Sequence, residues 1–206
     1  MVKNIVFDMG NVLLQFRPWI ALENFFKTQE DRAIINRELF NGPEWIMGDE
    51  GLITNEERYD RILPRIPERL HEAFKQCVEG WDMCLAPVPG AEEFCEKVRR
   101  EGYGMYVLSN ACNRFHHFFP QYFSRDFFDG VMVSSEVKMI KPDPAIYRHL
   151  CTVYGLKPEE CLFIDDRPEN VEGALSIGME AVVFQDDWSK VENKLQKLNF
   201  NFSPPD

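Results

Sequence analysis

The chain has 206 residues, 45% of them hydrophobic and 28% charged, the composition of a soluble globular protein rather than of a long disordered tract or a collagen-like repeat. That length predicts one domain, or one domain with an insertion, and buries enough surface to fold without a disulfide or metal staple. A net charge of −11 argues against nucleic acid as a partner, and any phosphate site must be built locally from a cation or a few aimed donors.

The apolar run after Met1 is too short for a signal peptide. No segment approaches the roughly 20 apolar residues that span a bilayer. The sequence therefore predicts a cytoplasmic protein with no membrane partner. Six cysteines, at 77, 84, 95, 112, 151 and 161, form no CxxC pair and read as small buried apolar residues in a reducing compartment.

Five short runs are apolar at successive positions: Ile5-Val6-Phe7, Met105-Tyr106-Val107-Leu108, Val131-Met132-Val133, Leu162-Phe163-Ile164 and Ala181-Val182-Val183-Phe184. Such runs mark strands buried on both faces, as in a parallel sheet. Helical patterns separate most of them. One spans Ala91 to Arg100. Another opens at Asp143-Pro144, a cap residue followed by proline at the first helical position. A third runs from Pro168 to Ile177 and stops at Gly178. The alternation predicts an α/β doubly wound fold.

The gap after the first run is too long for one crossover. Residues 16–82 carry helical patterns, such as Ile20 to Lys27 and Asn55 to Leu63, and no convincing strand. They are predicted to form a helical insertion, a cap, between core segments 1–15 and 83–206. The chain would return through the turn-rich Pro87-Val88-Pro89-Gly90, and Ser203-Pro204-Pro205-Asp206 reads as a loose tail.

Four runs stop at polar residues: Asp8, Ser109-Asn110, Ser134-Ser135 and Asp165-Asp166. Ligands of open parallel sheets bind beyond the carboxyl ends of the strands, so these residues can converge. Lys141, ahead of Pro142, can reach the same crevice from a loop. Converging carboxylates need a cation, and oxygen-only ligation suits Mg2+. A Mg2+, a lysine and a serine hydroxyl make a phosphate clamp, to which backbone N–H groups after Ser109 can add if a helix starts there. An aspartate is also a nucleophile in phosphoryl transfer. Taken singly, each residue has a plainer reading: a helix cap, a turn, a solvated loop charge.

The ordered set Phe7-Asp8-Met9-Gly10-Asn11-Val12-Leu13, Leu108-Ser109-Asn110, Lys141-Pro142-Asp143-Pro144-Ala145-Ile146-Tyr147 and Phe163-Ile164-Asp165-Asp166 resembles the haloacid dehalogenase superfamily. The resemblance covers the whole chain and is nearest to small phosphatases that begin Asp-x-Gly-Asn-Val, including sugar-1-phosphate phosphatases, and to the N-terminal phosphatase domain of epoxide hydrolases. It implies a Rossmann-like sheet of order 5-4-1-2-3 with a cap inserted after the first strand. It implies Asp8 as nucleophile, Ser109 and Asn110 as phosphate-binding residues and Lys141 as the phosphate clamp. Mg2+ would be held by Asp8, Asp166 and the Gly10 carbonyl. Asp165 would lie behind the metal site and orient Lys141, and Asn170 would either support that site or lie on the helix surface. The substrate class implied is a small phosphorylated metabolite, with a sugar phosphate favoured.

Gly10 departs from the family pattern, in which an aspartate two residues after the nucleophile protonates the leaving group and activates water. Asp49, Glu50, His116 and His117 are candidate substitutes. Arg17, Arg114 and Trp45 are candidate substrate contacts, each with a plainer reading as a surface ion pair or core residue. Two alternatives to a phosphatase remain at this stage: a phosphometabolite-binding protein with a weakened site, and a carbon–halogen hydrolase, for which the paired Asp165-Asp166 would be superfluous.

Overall fold

Successive side chains of a strand point to opposite faces, so a sheet buried on both sides must divide its apolar residues between two cores. In the computed structural model, which describes residues 1–200, the strands do this. Ile5 and Phe7 of β1 (Asn4–Phe7) join one apolar cluster, and Val6 joins the other. The predicted tail, Ser203 to Asp206, lies outside the described residues.

After β1 the chain forms β2 (Leu14–Phe16) and then five helices: α1 (Pro18–Phe25), α2 (Gln29–Ile35), α3 (Pro43–Asp49), α4 (Asn55–Ile62) and α5 (His71–Gly80). Proline at the first turn opens α1 and α3. Thr54 opens α4 through a capping box with Glu57. The chain returns through β3 (Leu85–Pro87) and α6 (Ala91–Arg100) to β4 (Gly104–Ser109).

The rest runs α7 (Phe115–Phe118), β5 (Gly130–Val133), α8 (Ser134–Val137), α9 (Pro144–Tyr154), β6 (Cys161–Asp165), α10 (Pro168–Leu175), β7 (Glu180–Val183) and α11 (Trp188–Phe200). Asp143 caps α9 by accepting from the Ala145 N–H, as expected from Asp143-Pro144.

The sheet is parallel, in the order β5-β4-β1-β6-β7. Counting the five apolar runs in chain order, this is the anticipated 5-4-1-2-3. Phe7 lies beside Val107 of β4 and Ile164 of β6, which brings the three carboxyl ends together. β6 is buried along its whole length, whereas the edge strand β7 is only half-buried; among the described residues nothing pairs with its outer side.

One element was not anticipated. β2 and β3 pair antiparallel, Leu14 with Pro87 and Phe16 with Leu85, where the chain leaves for the helices and returns. Runs of three residues are too short to show a period. One continuous cluster joins Phe7 of β1 and Phe94 of α6 to Leu22, Ile35, Ile62 and Phe74 of the inserted helices. Each such side chain contributes about 1.5–3 kcal/mol on burial.

On the opposite face α10 lies close against α9. The Tyr147 hydroxyl donates to the Asn170 carbonyl at 2.7 Å. A Cβ added at Gly173 would meet the Pro142 carbonyl oxygen at 2.5 Å and a Tyr147 ring carbon at 2.9 Å. Gly173→Ala is therefore expected to destabilise the protein by about 1–3 kcal/mol through overpacking. Urea unfolding would show a lower midpoint at unchanged slope; an unchanged midpoint would mean that α10 can retreat without cost.

Candidate active site

The first residue beyond β1 is Asp8, whose N–H donates to the Ile164 carbonyl at 2.8 Å. The sheet register therefore sets its carboxylate beside Asp165, the last residue of β6. Lys141 reaches both from the loop between α8 and α9. Its Nζ donates to Asp8 Oδ1 and to Asp165 Oδ2, each at 2.7 Å, and is buried. The ammonium also lies 5.3 Å from the centre of the Phe163 ring, within the range of a cation–π attraction.

Two asparagines hold this arrangement. Asn110, just past β4, donates from Nδ2 to the Lys141 carbonyl and accepts the Lys141 N–H at Oδ1, both at 2.9 Å. Asn170, on α10, is buried and donates from Nδ2 to both oxygens of Asp165 at 3.0 Å. Asp165 Oδ1 also accepts the Arg167 N–H at 2.9 Å. Asp165 thus spends its lone pairs on Lys141, Asn170 and the Arg167 backbone. Of the two readings of Asn170, support of the site fits this geometry, exerted through Asp165.

Asp166 faces the same space. It accepts from Asn11 Nδ2 at 3.0 Å, while Asn11 Oδ1 accepts the Phe16 N–H at 3.0 Å. Asn11 has φ +55°, a left-handed conformation that asparagine tolerates better than most residues. Gly10 does not lie in the left-handed region, and a Cβ there would meet only Asp8 Oδ2, at 3.9 Å.

One oxygen from each of Asp8, Asp165 and Asp166 lies within 4.8 Å of the others, with one lysine among them. Burial pushes the Asp8 carboxyl up, Lys141 opposes this, and the neighbouring aspartates add to it. Burial also raises Asp166, against the Asn11 hydrogen bond. Burial disfavours the Lys141 ammonium, but Asp8 and Asp165 outweigh that and hold its pKa above the usual lysine value. Three ionised carboxylates and one ammonium leave a net charge of −2, and with oxygen donors only this fits a hard divalent cation.

These groups form the floor of a cavity of about 670 Å³. Asp8, Gly10, Asn110, Lys141, Asp166 and Asn170 line its polar end, and Phe16, Phe40, Trp45, Trp81 and Phe118 line its wall. Trp45 serves both of its readings, since it lines the cavity and packs on Phe16, Phe40 and Trp81 at 5.0–5.5 Å between ring centres.

Ser109 is buried at the end of β4 and is not among the lining residues. No helix starts directly behind it: the chain stays irregular until α7 at Phe115, with the Ala111 N–H taken up by the Ser134 hydroxyl and the Asn110 side chain by the Lys141 backbone. Of the candidate substitutes for the missing acid, only Asp49 lines the cavity. His116 pairs with Glu136 and is exposed. Arg114 pairs with Asp82, as its plainer reading had it, and Arg17 lies near Trp19 rather than in the cavity. The sequence reading missed Asn11, Arg167 and most of the aromatic wall. The only sequence signal for Asn11 was its place inside the first motif.

A family model described as haloacid dehalogenase-like hydrolase matches residues 2–178. The chain is 27% identical to a sesquiterpene phosphatase of Aspergillus oryzae over 86% of its length and 87% of that protein's. It is 26% identical to a flavin mononucleotide hydrolase of Arabidopsis thaliana over 78% of its length and 64% of that protein's. Among solved structures it resembles a HAD family enzyme of Bacteroides thetaiotaomicron in complex with magnesium and inorganic phosphate. That likeness has 25% identity and a TM-score of 0.71, and covers 93% of this chain and 99% of that one.

Removing the buried cation leaves the carboxylates unpaired. Lys141→Met is expected to destabilise the metal-free protein by about 3–5 kcal/mol at neutral pH. Without the lysine the crowded carboxylates favour their protonated forms, so the deficit should shrink as pH falls toward 5. Chemical unfolding of both proteins at pH 5 and 7.5 checks this; a deficit independent of pH would contradict it.

Proposed function

The chain belongs to the haloacid dehalogenase-like hydrolases, and from that membership and the site's geometry we propose that it is a Mg2+-dependent phosphatase of a small phosphorylated metabolite. The observation that carries this is the state of Asp8. Lys141 engages Oδ1, and among the described residues Oδ2 carries no hydrogen bond, so one oxygen remains for attack on phosphorus. Asp8 displaces the alcohol to form an aspartyl-phosphate, which water then hydrolyses. Lys141 balances the charge of the phosphoryl group. Its own position is kept by Asp165 at one end and by Asn110 at the other.

The residues that would hold Mg2+ are Asp8, Asp166 and the Gly10 carbonyl. When bound, the ion supplies charge neutralisation and polarises a phosphoryl oxygen. Residues 1–15 and 83–206 act in this reading as the catalytic core and 16–82 as the cap.

The cap side of the cavity bears on the substrate. Phe16, Phe40, Trp45, Trp81 and Phe118 offer surface rather than hydrogen bonds. A sugar hydroxyl left unpaired against such a wall costs about 1–3 kcal/mol. The wall therefore favours an ester whose alcohol part is apolar or flat and aromatic over the sugar phosphate suggested by the motif. The names of the sesquiterpene phosphatase and the flavin mononucleotide hydrolase are in keeping with that preference.

Phosphate release should depend on Mg2+, stop on chelation, and be faster for prenyl or aryl phosphates than for hexose phosphates. Asp8→Asn should lower it by at least about 10⁴-fold, as loss of a nucleophile does, with the circular dichroism spectrum unchanged. Release by that variant at near the unmodified rate would rule out the covalent route.

A further inference from the structure

An ester oxygen that leaves as an alkoxide needs a proton, and the water that later cleaves an aspartyl-phosphate must lose one. The floor of the site offers no group for this. Gly10 has no side chain, Asp165 is saturated by its donors, and Asp166 faces the cation position. Among the described residues lining the cavity, the other titratable side chains are Asp49, Cys112, Lys141 and Arg167. Burial holds the Cys112 thiol neutral by pushing it up. Lys141 is bound to two carboxylates, and Arg167 is paired with Glu169. Asp49 is left.

Asp49 ends α3 and lines the cavity. The Ser134 hydroxyl at the start of α8 donates to the Asp49 carbonyl and accepts the Ala111 N–H. Ala111 directly follows Asn110, which clamps Lys141. Two residues after Asp49, the Gly51 carbonyl accepts from Lys138 Nζ at 2.8 Å. Two hydrogen bonds thus tie this end of the cap to the core, and the Ala111 N–H continues one of them to the loop that carries Asn110.

We infer that Asp49 is the general acid–base of the reaction, delivered by the inserted helices to the cavity in place of the side chain that Gly10 lacks. The inference rests on the phosphatase reading above. In the first step the Asp49 carboxyl gives its proton to the ester oxygen while the bond from phosphorus to that oxygen breaks and the bond from Asp8 to phosphorus forms. In the second, the Asp49 carboxylate takes a proton from water as the water oxygen bonds to phosphorus and the bond to Asp8 breaks. Asp8 and protonated Asp49 are restored, and phosphate departs.

The charged and titratable surroundings suit a group that must both give and take a proton. Burial pushes Asp49 up to about 7, while the buried Arg58 guanidinium of α4 and the Cys112 N–H pull it down and Glu50 adds to the rise. Lys138 faces the same turn from the end of α8.

The test compares an alkyl phosphate with 4-nitrophenyl phosphate, in Mg2+, for the unmodified protein, Asp49→Asn and Asp49→Glu. Asp49→Asn should lower kcat on the alkyl ester by about 10²-fold or more. With 4-nitrophenyl phosphate, whose leaving group needs no proton, it should release a burst of one nitrophenolate per protein and then turn over slowly. The alkyl rate of the unmodified protein should fall as pH rises through about 7, and Asp49→Glu should recover part of it. Equal losses on both esters with no burst, or an unchanged alkyl rate, would overturn the assignment. A folded Asp49→Asn is confirmed by circular dichroism; if it does not fold, the Asp49→Glu pH profile decides, with an unshifted profile overturning the assignment. No phosphate release by the unmodified protein from any ester would overturn the phosphatase reading instead.

Discussion

A lysine ammonium buried among carboxylates is stable only if every partner is held in place, and the structure around Lys141 follows from that requirement. The desolvation of an ammonium and a carboxylate costs several kcal/mol per ion. Two contacts at 2.7 Å offset it, provided neither carboxylate can turn away. Asp165 is kept in place by Asn170 and the Arg167 N–H, Asn170 lies on a helix packed against Tyr147, and Lys141 itself is gripped at its backbone by Asn110. Of the two carboxylates bound to Lys141, Asp8 is then the one that lines the cavity and keeps an oxygen free of hydrogen bonds among the described residues. A preorganised donor of this kind acts without reorganisation at the moment of reaction.

The inserted helices complete the site from above. Their aromatic side chains form one wall with Phe16 of β2 and Phe118 of α7, so the short ribbon of β2 and β3 positions a cavity-lining residue as well as joining the insertion to the core. The same helices bring Asp49 to the cavity lining. In the proposed mechanism the chemistry is divided: nucleophile and cation ligands at the sheet's carboxyl ends, proton transfer on the inserted helices.

Much of this was legible in the sequence where local chemistry carries it. β1, β4, β5, β6 and β7 showed as buried apolar runs, and Asp143-Pro144 as a helix start, because both signals lie within a few residues. Asp8, Lys141 and Asp165-Asp166 stood out as an ordered set. The parts that were not legible depend on distant pairing. The Asn110 clamp joins residues 31 positions apart. The aromatic wall is assembled from elements spread between Phe16 and Phe118 with no shared period. Asp49 could not be chosen over Glu50 or the histidines, since its place depends on α3 meeting α8. The sugar-phosphate preference came from the motif alone, and the cap that bears on it carries no readable ligand pattern.

The central claim is that Asp8 takes the phosphoryl group. It is tested most directly by quenching a reaction with 4-nitrophenyl phosphate in acid, digesting the protein and locating any phosphorylated peptide by mass spectrometry. The account predicts one acid-stable, hydroxylamine-sensitive phosphoryl group on the peptide that contains Asp8. A phosphoryl group on a different residue, or none under conditions in which the Asp49→Asn variant has released its burst of nitrophenolate, would contradict it.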